Sequence, residues 1–471
     1  MTKKIDERLH ASGAAAALTD TSSRAILKNA APILFGLLLE QLIGMTDAVF
    51  LGRVGEVELG AAALGSVVFF FFIAQALGYA IGAQSLMGRA NGSRDYAAFG
   101  RIFRQAGLFL FSLGLAVAVL LVLSADAIMS HIADSEAVSK AAADYLFWRG
   151  VGMPAAFFCV LLRTFFIAIL ETRILVWSSL VMVATNCVLN WLLIFGWGPI
   201  PPMGTAGAAI ASALSEVACA IFLAGKIVRD GEIEKHSLAG SLAFDRDMQL
   251  KLFNLGRWLM LQESVSIGAW IYFFGAVEHV SERALAISNV VRQLGSLLFL
   301  FVHAFGTTCG SIAANLYGAG RSDLINAVVK RGLCLSFATM MPVVILFGLF
   351  PQWVLGWFTN LPEVIDASEP AFYVMLASYI VTTPPFFYYF VIGALGFARP
   401  SFITCIASSF VYVAYVAFIT AATTSVALIW TSDTVYGFCL GLGTWYIWRH
   451  VEWSPARVDG RRLLKPEGEI F

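Results

Sequence analysis

Two stretches of this 471-residue sequence resemble each other, and their likeness determines the architecture that we expect. GAQSLMGRANGSRD occupies residues 82–95, and GSIAANLYGAGRSD occupies residues 310–323, at an offset of 228. Each stretch ends in the Gly, Ser, Arg and Asp residues that are typical of turns, so chance similarity between two turns is the alternative explanation. The likeness favours an internal duplication in which each half carries one copy.

The composition is that of a membrane protein. Hydrophobic residues make up 59% of the chain and charged residues only 13%, with 38 Phe and 41 Gly, which excludes a soluble domain of this size. Apolar segments of 18 or more residues are long enough to cross a hydrocarbon core of about 30 Å. We count twelve of them, at 31–54, 61–87, 103–123, 144–170, 174–195, 205–227, 252–275, 284–316, 332–350, 371–396, 401–422 and 425–448.

The longest polar interval between these segments, 228–250, separates six of them from the other six. With six helices per half, the second half enters the membrane from the same side as the first, so the repeats are parallel. The predicted fold is therefore an all-α polytopic membrane protein with twelve transmembrane helices in two pseudo-symmetric six-helix lobes. The predicted segments are an N-terminal segment at 1–29, lobes at 30–227 and 251–449, a linker at 228–250, and a tail at 450–471.

The distribution of basic residues predicts the orientation in the membrane. If both termini are cytoplasmic, the cytoplasmic segments hold 24 Lys and Arg residues and the opposite side holds 3. Basic residues favour the cytoplasmic side, so we expect cytoplasmic termini and a cytoplasmic linker. Residues 1–29 lack the short apolar core of a removable signal peptide. The expected location is the plasma membrane, which is the inner membrane in a Gram-negative cell.

The first hydrophobic segment carries two carboxylates, Glu40 and Asp47, within LLLEQLIGMTDAVFLG at residues 37–52. Their spacing of seven residues places both on one helix face, about 10 Å apart. A carboxylate deep in a bilayer costs at least about 2.5 kcal/mol, so it faces a wet or protein-lined interior. Asp47 is the main candidate for binding Na⁺ or a proton. Glu40 is either a relay or substrate counter-ion, or the partner of Arg163 in a structural ion pair.

Several short motifs, in this order, resemble the multidrug and toxic compound extrusion (MATE) family. The motifs are DAVFLGRVG from Asp47, LGAAALG from Leu59, GAQSL from Gly82, Met153-Pro154, ETR from Glu171, NCVLNWLLIFG from Asn186 and GTAGAAIAS from Gly204, with NLG from Asn254 and LYGAG from Leu316 in the second half. The resemblance covers roughly residues 30–450.

The resemblance implies two six-helix lobes and secondary active efflux by alternating access, with an organic and often cationic substrate exchanged for Na⁺ or H⁺. It places partners of Asp47 on the fifth segment. Asn186 and Asn190 lie there at i, i+4, so their amide oxygens share a face; linking helices by hydrogen bonds is their other possible role. Ser212, where the family often has threonine, adds a hydroxyl. If sodium is the coupling ion, Asp47 and Asn190 are its expected ligands.

The second half departs from the family pattern. Many members carry a glutamate on helix seven and an aspartate on helix ten, whereas this sequence has Ser266 at the first position and no acid over 371–400. Glu263 lies one turn before Ser266 and is the candidate that remains. A cation site in this half is therefore doubtful.

The remaining candidates are polar or aromatic residues inside the segments. Glu216 is either a further acid of the site or a partner of Arg163. Arg292 and His303 share a helix face and suggest a second polar path, although a lone intramembrane His is more often a packing residue. Pro384 and Pro385 are expected to break the tenth helix, where Tyr388 and its neighbours offer aromatic surface to a cation or to lipid.

The sequence also limits the function. It contains no GxxxxGK[ST] loop, and its His and Cys residues are too scattered for a metal or nucleophile site, so neither ATP drive nor an enzyme is indicated. We expect an efflux antiporter of hydrophobic, cationic compounds that acts as a monomer in the bilayer, with no cofactor beyond H⁺ or Na⁺ and no nucleic acid. The alternative is a flippase of lipid-linked precursors, which requires a basic cavity.

Overall fold

The computed structural model describes residues 20–358 and 361–450. Within them, twelve helices have 20 or more residues, and each overlaps one of the predicted segments. In chain order they are α1 Ser23–Gly52, α2 Glu56–Gly92, α3 Tyr96–Ile132, α4 Glu136–Ala168, α5 Arg173–Phe195, α6 Gly204–Arg229, α7 Arg246–Val280, α8 Glu282–Gly318, α9 Ile325–Leu349, α10 Pro362–Ala394, α11 Ala398–Ala422 and α12 Thr431–His450.

Eleven of the twelve long helices have the length and composition of membrane spans, and α7 is the one that does not. This helix of 35 residues contains Arg257 and Glu263, which lower its hydropathy, and at 1.5 Å per residue it is about 52 Å long. An all-α polytopic membrane fold is confirmed.

The helix α10 corrects one prediction, because it continues through Pro384 and Pro385 instead of breaking there. A proline inside a helix removes a backbone hydrogen bond, but membrane helices tolerate it when hydroxyl side chains or neighbouring helices satisfy the freed groups. The two carbonyls that lose their backbone donors are those of Ile380 and Val381, four residues before each proline. The aromatic run after the prolines is therefore helical.

The chain forms two compact units. The N-terminal unit comprises Phe35–Met87 and Asp95–Met260. Of the described residues, the C-terminal unit comprises 20–34, Gly88–Arg94 and 261–450 without 359 and 360. These units are defined by contacts, and the lobe boundaries drawn from the sequence remain a prediction.

The helix boundaries repeat at a constant interval. Helices α2 and α8 both have 37 residues, and both of their ends differ by 226 (282 minus 56 and 318 minus 92). Helices α4 and α10 both have 33 residues, and their ends differ by the same 226 (362 minus 136 and 394 minus 168). The offset of 228 predicted from the sequence applies only at the following turn, because the second copy has two extra residues between Gly318 and Asp323.

Within the C-terminal unit, the ends of α2 and α8 cross closely. A Cβ atom added to Gly92 would lie 1.9 Å from the carbonyl oxygen of Asn315, and one added to Gly318 would lie 2.0 Å from that of Arg89. Asn91 donates to the Asn315 side-chain oxygen at 2.8 Å across this crossing. The two glycines, 226 residues apart, therefore allow the backbones to touch.

The segment predicted as the linker is folded against α3. Arg104 donates to the carbonyls of Ser237 at 2.7 Å and Leu238 at 3.2 Å. Arg101 forms an ion pair with Asp245. Burial acts to raise the pKa of Asp245, but hydrogen bonds from a backbone N–H and from Arg101 outweigh it, so this pKa lies below its ordinary value. Part of the predicted linker is therefore held against α3 by hydrogen bonds and an ion pair.

Candidate functional site

The four residues of the predicted coupling site lie together in the N-terminal unit. Asn190 Nδ2 donates to Asp47 Oδ1 at 2.5 Å, and the Ser212 hydroxyl donates to Asp47 Oδ2 at 3.1 Å. Asn190 also donates to the Asn186 side-chain oxygen at 3.0 Å, and Asn186 donates to Ser212 Oγ at 3.1 Å. Both asparagines are fully buried. The result is a closed ring of hydrogen bonds around one carboxylate.

Local sequence explains why these side chains meet. Asn186 and Asn190 lie at i, i+4 on α5, so both face the same neighbour. The first turns of α6 consist of small residues, and a Cβ atom at Gly207 would lie 2.7 Å from the Leu193 carbonyl. This close approach of α6 to α5 brings the short Ser212 side chain within reach of the asparagines.

The ring leaves one oxygen without a partner. Asn190 Oδ1 is buried and accepts no hydrogen bond. A carboxylate, two amide oxygens and a hydroxyl are hard oxygen ligands of the kind that alkali and alkaline-earth cations prefer. The described residues contain no group of three His, Cys, Asp or Glu that suits a transition metal. The ring is chemically suited to a proton on Asp47 or to a monovalent cation beside it.

Glu40 lies on the same helix as Asp47 but in a separate cluster. It forms an ion pair with Arg163 on α4 and accepts a hydrogen bond from Ser179 Oγ at 2.9 Å. Both charged side chains are mostly buried, at 27% and 17% exposure. The structural ion pair is thus the contact that forms, and Glu40 does not touch the ring around Asp47 in the hydrogen bonds and ion pairs of the described residues.

Glu216 corrects a second prediction, because its partner is Arg149 and not Arg163. The two side chains meet at 2.8 Å, with Arg149 only 5% exposed. The guanidinium also lies over the Phe69 ring at 3.6 Å. Arg149 interacts electrostatically with Asp47 as well, so a basic residue stands near the ring.

Arg149 is a functional candidate that the sequence did not indicate. The predicted fourth segment begins at 144, which places Arg149 at a helix end, whereas α4 begins at Glu136 and places it more than three turns inside. Seven of the first eight residues of α4 are polar or alanine, so hydropathy does not detect them. The sequence feature that predicts this earlier helix start is Ser135, a residue type that favours the N-cap position, followed by residues of high helix propensity.

In the C-terminal unit, the predicted residues do not form one site. Glu263 lies on α7, and no Lys or Arg nitrogen of the described residues lies within 4.0 Å of it. Ser266 Oγ lies 3.5 Å from Cys405 Sγ. Tyr388 packs against Trp448 of α12, with ring centroids 5.1 Å apart, in a small apolar cluster. Its ring is thus occupied by packing.

Asp433 is a second carboxylate of this unit that sequence reasoning did not single out. It lies in the first turn of α12. The signal was an acid inside the apolar segment 425–448. Its place at a helix start, where the backbone N–H groups favour negative charge, gives it a structural explanation.

Arg292 and His303 share a face of α8 but lie in different surroundings. The Arg292 guanidinium lies over Trp270 at 5.2 Å and over Phe274 at 5.5 Å. The His303 ring stacks on Phe299 and lies 4.9 Å from Phe390. At 1.5 Å per residue the two positions are about 16 Å apart. They do not form a continuous polar path.

Comparison with known proteins identifies the family. A family model described as MatE matches residues 32–192 and 265–434, which together are 331 of the 471 residues. The probable multidrug resistance protein NorM of Pseudomonas syringae is 24% identical over 369 residues, 78% of each chain. The FAD transporter of Shewanella oneidensis is 24% identical over 367 residues, 77% of this chain and 78% of its own.

A solved structure has the same fold. It is the outward-facing conformation of a MATE family multidrug resistance transporter of the MOP superfamily, and it aligns with a TM-score of 0.84 at 17% identity over 92% of this chain and 96% of its own. Because the family model matches well over half of the residues, the chain belongs to the MatE family of multidrug and toxic compound extrusion proteins, which are multi-pass membrane transporters and not enzymes.

Proposed function

We propose that this protein is a secondary active efflux antiporter that exports hydrophobic, cationic organic compounds in exchange for H⁺ or Na⁺ by alternating access. Family membership supports efflux transport, and the relatives include proteins named as probable multidrug resistance proteins and an FAD transporter. Because those substrates differ in charge, we infer the substrate class of this protein from the charges of its own site. The observation that carries the proposal is the hydrogen-bonded ring around Asp47.

The ring supplies a carboxylate whose charge can change. In one conformation Asp47 is ionised and holds the charge of a cationic substrate, while Asn190 and Ser212 donate to its two oxygens. In the other conformation a proton on Asp47, or Na⁺ beside it, removes that charge. The coupling ion and the substrate then favour opposite conformations, and each tenfold bias corresponds to about 1.4 kcal/mol of differential affinity.

Sodium and protons use different atoms of the same ring. Na⁺ requires several oxygens at once, and the unpartnered Asn190 Oδ1, the Asn186 amide oxygen, Ser212 Oγ and Asp47 offer them. A proton requires only Asp47. The unpartnered amide oxygen favours sodium, while the single carboxylate suffices for a proton. The experiment below therefore compares a pH gradient with a sodium gradient.

The neighbouring acids support a cationic substrate only through Asp47. Glu40 is compensated by Arg163, and Glu216 is compensated by Arg149. Of the three acids that the sequence indicated in this unit, Asp47 is thus the one without an ion-pair partner. Its neutralisation therefore changes the local charge by a full unit.

The test uses purified protein in proteoliposomes with an imposed pH gradient or sodium gradient. A lipophilic cationic dye should move against its own gradient in the wild type, and Asp47→Asn should lose at least 95% of gradient-driven transport while still binding dye. Glu263→Gln is the matched control, and it should retain at least half of the activity. Wild-type exchange by Asp47→Asn would refute the proposal, and near-total loss in Glu263→Gln alone would move the coupling to the C-terminal unit.

The orientation belongs to the same proposal, with the protein acting as a monomer in the plasma membrane and both termini cytoplasmic. The 24-to-3 distribution of basic residues supports it. Ser241→Cys and Ser135→Cys test it, since both positions are exposed and Ser135 makes no side-chain cap bond. A membrane-impermeant maleimide added to whole cells should label position 135 and spare position 241. The reverse pattern would overturn the orientation.

A further inference from the structure

Arg292 on α8 is an intramembrane arginine with an aromatic cradle. Its guanidinium lies over the rings of Trp270 and Phe274 on α7, which are themselves 5.2 Å apart in an edge-to-face arrangement. The Arg292 side chain is half-buried, and Trp270 is 47% exposed. Two rings therefore lie against the guanidinium, and part of Trp270 remains accessible to a ligand.

No anion of the described residues compensates this charge. The seven ion pairs of the described chain do not include Arg292, so no carboxylate oxygen lies within 4.0 Å of it. Arginines inside membrane spans normally pair with acids or carbonyls, or they serve a ligand. Of the other buried arginines, Arg149 and Arg163 have glutamate partners, and Arg89 donates to the Leu395 carbonyl.

The cradle lies well away from the ends of both helices. Trp270 is ten residues before Val280 at the end of α7, and Arg292 is ten residues after Glu282 at the start of α8, so both are about 15 Å from the connecting turn. Glu263 precedes Trp270 by seven residues, which places it on the same face of α7 about 10 Å away. This face of α7 thus carries the carboxylate of Glu263 and then the two rings, over which the Arg292 guanidinium of α8 lies.

The cradle belongs to the C-terminal unit alone. At the interval of 226, the counterparts of Arg292 and Trp270 are Ser66 and Gly44. Ser66 donates to the Tyr145 hydroxyl at 3.1 Å, and the space beside Gly44 is open. The N-terminal unit therefore has neither the cation nor the ring at the corresponding positions, so the cradle is not a packing feature that the duplication imposes.

We propose that Arg292, Trp270 and Phe274 form a subsite for the anionic group of an amphipathic aromatic substrate. The inference rests on the proposed transport function and adds a substrate class, namely aromatic compounds that carry a carboxylate or phosphate besides any cationic group. The guanidinium donates two N–H groups to such an anion in a bidentate contact, while the rings hold its plane in place. The exposed part of Trp270 stacks on the aromatic body of the ligand.

Two fluorescent probes test the subsite, using the full-length protein in phosphatidylcholine nanodiscs. Rhodamine B carries a free carboxylate and a cationic ring system, and its ethyl ester has the same ring system without the carboxylate. Dissociation constants from fluorescence anisotropy should rise roughly 10- to 100-fold for rhodamine B in Arg292→Gln, as for loss of a charge-assisted hydrogen bond, and stay within twofold for the ester. Arg292→Lys should give an intermediate value for rhodamine B.

Arg257→Gln is the matched control, because Arg257 also lies over a tryptophan, Trp258, at 5.0 Å. It should leave both dissociation constants unchanged. An equal loss for both probes in Arg292→Gln, or no loss for either, would overturn the inference. If rhodamine B binding is unchanged and native mass spectrometry instead shows lost retention of phosphatidylglycerol, Arg292 contacts lipid and the inference is wrong. Failure of gradient-driven ester transport by the wild type would refute only the proposed function.

Discussion

The two repeats of this protein bury different chemistry at matching positions. In the N-terminal unit, Glu40 binds Arg163 and Ser179 in a charged cluster. The residues 226 positions later are Ser266, Tyr389 and Cys405. In the C-terminal unit these three also lie together, with Ser266 Oγ 3.5 Å from Cys405 Sγ and Tyr389 packed against Cys405, but without charge. The duplicated backbone has kept the contact while one copy has lost or never gained the ion pair.

The second buried ion pair follows the same rule. Arg149 pairs with Glu216 and lies over Phe69 in the N-terminal unit. Its counterparts in the C-terminal unit are Met375 for Arg149, Leu442 for Glu216 and Gly295 for Phe69. A Cβ atom at Gly295 would lie 3.6 Å from Met375 Sδ, so the contact between the two helices persists with apolar atoms. Neither ion pair is required by the fold itself.

The proposed coupling site differs in the same direction. The counterparts of Asp47 and Asn186 are Phe273 and Tyr412, whose rings are 6.3 Å apart. Two aromatic rings fill the space where the N-terminal unit holds a carboxylate and an amide. Burying a charge in a membrane is costly, and the C-terminal unit shows that the duplicated fold forms with aromatic rings at these positions instead. This contrast supports a single cation-coupling site, in the N-terminal unit.

The largest expected effect concerns Arg149. Arg149→Met removes one partner of a pair that is 5% and 17% exposed, and it should lower the free energy of unfolding by about 3–5 kcal/mol, because Glu216 is left buried and unpaired. Titration with SDS in mixed micelles measures this loss.

The double variant Arg149→Met/Glu216→Leu is the control, since it copies the Met375 and Leu442 of the other repeat. We expect its free energy of unfolding to return to within about 1 kcal/mol of the wild type, because replacing both members of a buried pair by apolar residues is often neutral. If the double variant is as unstable as the single one, the two repeats do not share this contact and the comparison fails.

Much of this comparison could be predicted from the sequence, for physical reasons. Apolar runs report membrane spans directly, so all twelve predicted segments overlap a long helix. The i, i+4 spacing of Asn186 and Asn190 gave a shared face, which the hydrogen bonds to Asp47 and Ser212 now complete. Hydropathy thus predicted the helices and spacing predicted the shared face of the two asparagines, whereas the resemblance to the family placed them and Ser212 beside Asp47.

What failed depended on information that hydropathy does not contain. The polar first turns of α4 hid the true depth of Arg149, and Glu216 was consequently given the wrong partner. The repeat offset was two residues too large because the match followed the turn residues and not the helices. The prolines of α10 were expected to break it, but the helix continues through them despite two missing backbone hydrogen bonds, which a membrane helix packed against its neighbours tolerates.

The close crossing of α2 and α8 offers a second test, because its two glycines occupy equivalent positions. Gly92→Ala and Gly318→Ala should each cost roughly 3 kcal/mol of unfolding free energy, since the added methyl meets a backbone oxygen at 1.9 or 2.0 Å. The two losses should agree within about 1 kcal/mol. Gly268→Ala, with open space beside it, should be neutral or stabilising. Strongly unequal losses would show that the repeats do not meet symmetrically here.

A smaller effect is expected in the cluster of Glu40 and Arg163. Arg163→Met should lower the free energy of unfolding by roughly 1.5–3 kcal/mol, as for a hydrogen bond to a charged group, because the pair is partly exposed. Tyr389→Phe at the matching position should change it by less than about 0.5 kcal/mol, since the Tyr389 hydroxyl is buried without a hydrogen-bond partner. Equal losses from both substitutions would remove the distinction between a charged and a neutral cluster.

The smallest effect is expected at the aspartates that end the two similar sequence stretches. Asp95 caps α3 by accepting a hydrogen bond from the Ala98 backbone N–H at 2.9 Å, so Asp95→Ala should cost about 1 kcal/mol, and Asp95→Asn, which keeps the cap, much less.

Asp323 instead forms an exposed ion pair with Arg321, at 3.0 and 3.1 Å, and its hydrogen bond to Arg321 holds the pKa of that carboxyl below its ordinary value. A carboxyl whose pKa is lowered in the folded protein stabilises the fold at pH values above its unfolded-state pKa, and this stability is lost as the pH falls through the folded-state pKa. Solvent and salt screen an exposed ion pair, so the contribution here is small. Asp323→Ala should therefore leave the SDS midpoint unchanged at pH 7. A loss as large as that of Asp95→Ala would mean that both aspartates act as caps, and that the repeats agree at this turn more closely than their contacts indicate.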